Sequence, residues 1–199
     1  YFICNYIIAE PLLFNYCGNE RADNFYCLPY FKSDSFYDAL NQTWMSITAG
    51  NDDDVSDKIA AFEKYSSVNI SSVNKFGSLE FRQMGGCFDK DRLLEWINIL
   101  MKLKQNCIGK SPELLPESFS GYESSDYVAQ LFGDYTDKLL YPGYEDALLR
   151  GVRYVQDVLR WDVLQKSQAS HMLHKLIDIR ADVSEADTPV PSALYSRYL

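Results

Sequence analysis

The sequence of this 199-residue chain lacks several patterns that assign chemistry directly. It has no glycine-rich phosphate loop, and its only two histidines are His171 and His174, without the H-E-x-x-H arrangement of a zinc protease. Its five cysteines contain no C-x-x-C pair, and their odd number disfavours a disulfide framework. These absences disfavour a P-loop enzyme and a zinc ribbon. They predict reduced, buried thiols and a cytoplasmic protein.

Three further absences limit the partners of the chain. No apolar run reaches the length of a membrane span, so we expect no transmembrane segment. The first 17 residues lack a basic start and are interrupted by Glu10 and Pro11, unlike a signal peptide. The net charge of −9 makes binding to a nucleic-acid backbone unexpected. Because the chain begins with Tyr1 rather than Met, we expect further residues upstream.

Most of the sequence has helical periodicity. A loop is expected over 17–30, an acidic loop over Asn51–Asp54, and a Pro/Ser/Gly-rich linker over 108–125. In the helix Asp89–Cys107, a buried stripe is predicted from Leu93, Leu94, Ile97, Leu100, Met101 and Leu103. The predicted helices are Phe2–Tyr16, Ser35–Ala49, Val55–Tyr65, Asp89–Cys107, Ser125–Phe132, Gly143–Trp161 and Asp162–Ile179.

The segment Lys64–Cys87, KYSSVNISSVNKFGSLEFRQMGGC, is the most informative part of the chain. It predicts a β-hairpin at about 65–84, with two strands joined by a short Asn/Lys/Gly turn. Strand side chains alternate between faces, so Glu80 and Arg82 should share one face of the second strand. A carboxylate and a guanidinium on one face suit a metal ion and a phosphate. An exposed ion pair with no further role is the alternative.

These elements predict an α+β fold in which helices pack on a small antiparallel β-sheet, followed by a mostly helical C-terminal extension. The expected domain organisation is a first unit over 1–107, a linker over 108–125, and a helical extension over 126–199. The end of the chain contains Pro189 and Pro191 and has little periodicity. We expect this tail to dock on a protein partner or on another subunit.

Three blocks of the chain resemble the amidoligase family, a branch of the carboxylate–amine ligases related to glutamine synthetase and glutamate–cysteine ligase. The blocks are IIAEPLLFNYCGNERADNFYCLP, KYSSVNISSV and SLEFRQMGGCFDKDRLLEWINILMKL, and they occur in the family's order. The resemblance covers about 1–103, which corresponds to the C-terminal part of the family domain. Met84 stands where the family often has His, and Cys87 stands where Thr is usual.

The resemblance implies an ATP- and Mg²⁺-dependent enzyme that forms an amide or peptide bond through an acyl phosphate. It assigns Glu80 to the metal, and Arg82 and Arg21 to catalysis. It assigns Asn24, Asn69 and Tyr65 to the substrate or nucleotide. The expected substrate is a peptide, a protein or a cell-wall component. Upstream strands that carry further metal ligands in the family are not in this sequence.

A function of a different class is also compatible with the sequence. The chain would be a non-catalytic structural protein that uses an amidoligase-like fold as an assembly scaffold, incorporated into a phage virion. Amidoligase-family members occur often in phages and fungi. The replacements at Met84 and Cys87 favour this alternative, as does a tail suited to docking.

Overall fold

The computed structural model describes residues 1–110 and 124–159. Helices predominate, together with one two-stranded antiparallel sheet. The predicted α+β class is therefore confirmed at the level of helices with a small antiparallel sheet. In chain order the elements are α1 Phe2–Cys17, α2 Asp34–Thr48, α3 Asp52–Ala60, β1 Val68–Asn69, α4 Ser72–Phe76, β2 Glu80–Phe81, α5 Lys90–Cys107, α6 Ser124–Phe132, α7 Thr136–Leu139 and α8 Tyr144–Leu159.

Helix α1 is the centre of the fold. It is apolar around most of its circumference, and 11 of its 16 residues are buried, as expected for a helix surrounded by other elements. Helices α5, α7 and α8 all pack against it. The buried residues of α6 and α8 belong to the same core cluster as those of α1. The chain after the predicted linker thus contributes directly to the core around α1.

Pro11 does not end α1, although proline lacks the amide that would bind the carbonyl of residue 7. The site of that missing bond faces the crossing with α8. A β-carbon built on Gly151 of α8 would lie 2.6 Å from the Cα of Ile8 and 3.2 Å from the carbonyl oxygens of Ile7 and Ile8. The absence of a side chain at Gly151 therefore permits the two backbones to touch.

Side-chain caps explain where three helices begin. The sequence favours Ser33 or Ser35 as the cap of α2, and the structure selects Ser33, whose hydroxyl accepts from the amide of Phe36 at 3.1 Å. Asp89 caps α5 by accepting from two amides of its first turn, as predicted. The acidic loop predicted over Asn51–Asp54 is wrong. Asn51 caps α3, and the acidic residues lie in its first turn, where the helix dipole favours negative charge.

The buried stripe predicted for α5 is wrong at four of its six positions, whereas Leu103 is buried and Leu100 is partly buried. The residues of this helix that are buried are Trp96, Ile99, Leu103 and Cys107. Four of the predicted residues are instead exposed to between 40% and 46% of their surface: Leu93, Leu94, Ile97 and Met101. Apolar residues occur on both sides of α5, so periodicity alone could not select the side that faces α1.

The predicted hairpin is present in a different form. β1 and β2 are two residues long and pair antiparallel, with Val68 opposite Phe81 and Asn69 opposite Glu80. The segment between them is not a simple turn, because it contains the one-turn helix α4. Gly77 ends that helix in the left-handed conformation, at φ 66°, which glycine adopts without strain.

The loop expected over 17–30 consists largely of short 3₁₀ turns, over Asn19–Asp23 and Phe25–Cys27, with a third at Tyr30–Lys32. Within residues 1–110 and 124–159, no helix combines the length and hydropathy needed to cross a membrane. The predicted helix over 162–179, the two histidines and the docking tail lie outside the described residues, as does most of the predicted linker.

Candidate functional site

The sheet brings three of the predicted residues into direct contact. The Nη2 of Arg82 and the Nδ2 of Asn69 each donate to Oε2 of Glu80 at 2.9 Å. The Ser71 hydroxyl donates to Oδ1 of Asn69 at 2.7 Å, which fixes the orientation of that amide. Glu80 and Arg82 therefore share one face of the strand, as the alternation of side chains predicts.

Some donor and acceptor atoms of this cluster have no hydrogen-bond partner among the described residues. The Glu80 side chain is 50% exposed, and both of its contacts use Oε2. Among the described residues, Oε1 accepts no hydrogen bond, so one carboxylate oxygen can bind a cation. The Nε of Arg82 is buried and has no partner within the described part of the chain. The Arg82 side chain is 21% exposed, and its Nη1 makes no hydrogen bond among the described residues, so Nη1 rather than Nε is the donor available to an oxyanion.

Tyr65 lies beside Arg82, as the predicted site requires. The guanidinium carbon of Arg82 is 5.9 Å from the centre of the Tyr65 ring, and the Nζ of Lys64 is 4.7 Å from the same centre. Both distances fall within the range of cation–π contacts. The Tyr65 ring thus has two cationic neighbours, and one of them, Arg82, is paired with the carboxylate of Glu80.

Arg21 and Asn24 do not reach this side-chain cluster. Arg21 donates from Nε to the carbonyl of Gln83 and from Nη2 to the carbonyl of Arg82, each at 3.1 Å. The side chain of Asn24 accepts from the amide of Tyr26 at 2.8 Å. In this arrangement Arg21 holds the backbone that follows β2, and Asn24 shapes the loop before Cys27.

Backbone hydrogen bonds join that loop to the sheet. The amide of Leu28 donates to the carbonyl of Tyr65 at 2.8 Å, and the amide of Ser67 donates to the carbonyl of Leu28 at 2.7 Å. On the other side, the amide of Arg82 donates to the carbonyl of Ser67 at 2.9 Å. Three chain segments that are distant in sequence are therefore held side by side at the site.

The loop places two exposed aromatic side chains next to Tyr65. Phe25 is 62% exposed and Tyr26 is 59% exposed. Their ring centres lie 5.6 Å apart, and the ring of Tyr65 is 5.7 Å from Phe25 and 5.2 Å from Tyr26. We call Phe25, Tyr26 and Tyr65 the aromatic trio. No role for Phe25 and Tyr26 was predicted from the sequence, because no local pattern distinguishes an exposed aromatic loop from a buried one.

A buried polar network lies beneath the site, and it was not predicted from the sequence. Gln83 donates to the hydroxyl of Tyr6, which donates to the hydroxyl of Ser67 at 2.6 Å, and Ser67 donates to Oε1 of Glu10. The amide of Tyr30 donates to Oε2 of Glu10 at 3.2 Å. The network joins α1 to both strand segments of the site. A signal was present in the sequence, since Glu10 interrupts an otherwise apolar helix.

Burial is the main cause of the raised pKa of Glu10. Its side chain has no exposed surface, and burial raises its pKa to about 8, despite hydrogen bonds from Ser67, Tyr30 and Tyr6 that favour the anion. Glu10 is therefore protonated at neutral pH. With no access to solvent, it acts as a positioning residue that holds Ser67 and Gln83 beneath the exposed cluster.

The buried cysteines provide no additional reactive site, and the acidic residues form no metal site in the described part of the chain. All five cysteines are free thiols, as predicted. Burial raises the pKa of Cys4, Cys27 and Cys107 to about 11, which makes these thiols unreactive. The described residues contain no group of three or more His, Cys, Asp or Glu side chains placed to hold a metal ion.

Comparisons with known proteins do not assign this chain to a family. The chain matches no protein-family model, no curated protein and no solved structure.

Proposed function

We propose that this chain contributes the phosphate-binding part of an ATP-dependent amidoligase. In this reaction a substrate carboxylate attacks the γ-phosphorus of ATP and releases ADP. An amine then attacks the acyl phosphate, phosphate leaves, and an amide is formed. The observation that supports the proposal is the contact of Asn69 and Arg82 with the half-exposed carboxylate of Glu80, beside Tyr65.

The residues of the cluster match the requirements of that chemistry. Arg82 carries a delocalised positive charge and a planar set of donors, so it can stabilise a transferring phosphoryl group. Its contact with Glu80 and its position beside Tyr65 hold it in place for this role. Arg21 supports the same geometry from behind, because it binds the carbonyls of Arg82 and Gln83.

A magnesium ion would find one ligand here, at Oε1 of Glu80. Mg²⁺ is commonly held by one or two carboxylates, water and the phosphates of the nucleotide itself, so a single protein ligand fits a Mg²⁺–nucleotide complex. When bound, the ion neutralises charge on the phosphates. Asn69 also donates to Oε2, which leaves Oε1 as the open oxygen of that carboxylate.

The test measures Mg²⁺–ATP binding by calorimetry and ADP release with a panel of carboxylates and amines. We expect Arg82→Ala to reduce turnover about 100-fold or more, as for the loss of a transition-state donor. Glu80→Gln should weaken the Mg²⁺ dependence of ATP binding. The control is Lys138→Gln, which removes an ion pair with Glu95 of α5, outside the hairpin and the loop 17–30. Wild-type protein that does not bind Mg²⁺–ATP, or equal turnover in all variants, would contradict the proposal.

A second candidate function, an assembly scaffold, is favoured by the exposed side of α5. Leu94, Ile97 and Met101 recur at three- and four-residue spacing, and Ile108, 65% exposed, extends the row. The occupant that we propose for this face is a second copy of the chain. Asp91 near the start of α5 and Lys104 near its end carry opposite charges, which favours an antiparallel pair of these helices.

The scaffold function predicts a dimer that depends on this face. We expect Ile97→Asp to convert the dimer to a monomer, because a charge placed in an apolar interface is desolvated without a partner. Light scattering after gel filtration measures the mass of each variant. Phe76→Asp, at another exposed apolar position, is the matched control and should remain dimeric. Wild-type protein that stays monomeric at high concentration would rule out this pairing.

A further inference from the structure

The aromatic trio is more exposed to solvent than protein packing requires. Large aromatic side chains gain stability when they are covered, yet Phe25 and Tyr26 leave more than half of their surface in solvent. Their edges contact each other and Tyr65, so the three rings form one surface and not isolated exposed residues. A clustered apolar patch of this kind is typical of a binding site.

The patch is held in place before any ligand arrives. Asn24 caps the 3₁₀ turn that carries Phe25 and Tyr26. The backbone of Leu28, immediately after this turn, is hydrogen-bonded on both sides to residues 65 and 67. Two rings attached to such a short, anchored turn lose little conformational freedom when they bind a planar group, which favours affinity.

The charged residues beside the aromatic trio indicate which class of ligand suits this surface. Lys64 lies at 4.7 Å from the ring centre of Tyr65 and Arg82 at 5.9 Å, so Tyr65 already has cationic neighbours. Phe25 and Tyr26 remain to accept a planar ring. A flat ring next to an anion-binding arginine is the chemistry of a nucleotide. The net charge of −9 disfavours a nucleic-acid strand and leaves a mononucleotide.

We propose that Phe25 and Tyr26 stack on the base of the nucleotide whose phosphates contact Arg82. This inference rests on the proposed function, since it names the base-binding part of the same site. The exposed rings bind the base by stacking, and stacking is tolerant of base identity because every base has a π face. Tyr65, fixed between the rings and Arg82, spans the boundary between the base and the phosphates.

The experiment compares three probes by calorimetry: Mg²⁺–ATP, Mg²⁺–tripolyphosphate and adenosine. We expect Phe25→Ala and Tyr26→Ala each to weaken Mg²⁺–ATP binding about ten-fold, the value of one stacked base. Binding of tripolyphosphate should not change. Tyr26→Phe should retain wild-type affinity, because stacking needs the ring and not the hydroxyl. Phe88→Ala, at a fully exposed phenylalanine away from the trio, is the control.

The outcomes separate the inference from the function on which it rests. If wild-type protein binds Mg²⁺–ATP and the two alanine variants bind it equally well, the base-stacking inference is wrong and the proposed function stands. If the variants lose affinity for Mg²⁺–ATP and for Mg²⁺–tripolyphosphate to the same extent, the rings support Arg82 and do not contact the base. If wild-type protein binds neither phosphate probe, the proposed function fails as well.

Discussion

Gly151→Ala is expected to lower the free energy of unfolding by about 1–3 kcal/mol, the usual cost of overpacking a core. Alanine is the better helix former by about 1 kcal/mol, so propensity alone predicts the opposite result. The loss arises because the new β-carbon would lie 2.6 Å from the Cα of Ile8. Neither helix backbone can yield at that point without separating α1 from α8.

Urea denaturation followed by circular dichroism measures this change. Gly86→Ala is the matched control, because a β-carbon there would meet nothing within 4 Å. The control should leave the midpoint of unfolding nearly unchanged. Equal or greater stability of the Gly151→Ala variant would show that the two backbones do not touch at this crossing.

The second large effect is a loss of stability as the pH rises, caused by Glu10. Its pKa is about 8 in the folded protein and near its ordinary value of 4.5 when unfolded. Between these values the folded state binds more protons than the unfolded state, so the free energy of unfolding falls with increasing pH. The loss is absent below pH 4.5, grows from there to pH 8, and is complete above it. Its size is on the order of several kcal/mol.

Among the described residues, the thiols and Glu95 also have shifted pKa values, but they act outside this window. The buried thiols also have raised pKa values, about 11 for Cys4 and Cys107, so they affect stability only in more alkaline solution. Glu95 has a lowered pKa, chiefly because Lys138 and Tyr16 donate to it, and its contribution is lost only in acid. Among the described residues, Glu10 is therefore the group whose shifted pKa produces a decline between pH 5 and 8.

Glu10→Gln tests this assignment. The amide retains an oxygen that can accept from Ser67 and Tyr30 but cannot ionise, so stability should become nearly flat between pH 5 and 8. The measurement is a series of urea titrations across that range. Glu20→Gln, at an exposed carboxylate, should keep the wild-type slope. A wild-type slope in the Glu10→Gln protein would show that another group causes the decline.

The sequence predicted the features that depend on local chemistry. Helix α2 begins at a serine cap and α5 at an aspartate cap because these side chains satisfy free amides of the first turn. Glu80 and Arg82 share a strand face because strand side chains alternate. Each of these outcomes is decided within a few residues, so the order of residue types is sufficient to predict it.

The errors occurred where distant contacts decide the outcome. Trp96 and Ile99 were omitted from the predicted stripe of α5, yet they form its buried side. Both sides of α5 are apolar, and only the positions of α1 and α6 select between them. The contacts of Arg21, whose catalytic role stays a prediction, were likewise not foreseen. Its long side chain binds carbonyls more than 60 residues away, a choice that no local pattern encodes.

The central position of α1 has a consequence for synthesis of the protein. Ile8 leaves the ribosome roughly 140 residues before Gly151, the residue that covers it. At about 5–20 residues per second, that interval is roughly 7–30 seconds. Throughout it, α1 lacks α8, the helix that crosses it at Ile8. Nascent chains of this protein should therefore depend on a chaperone that shields α1 until α8 has been made.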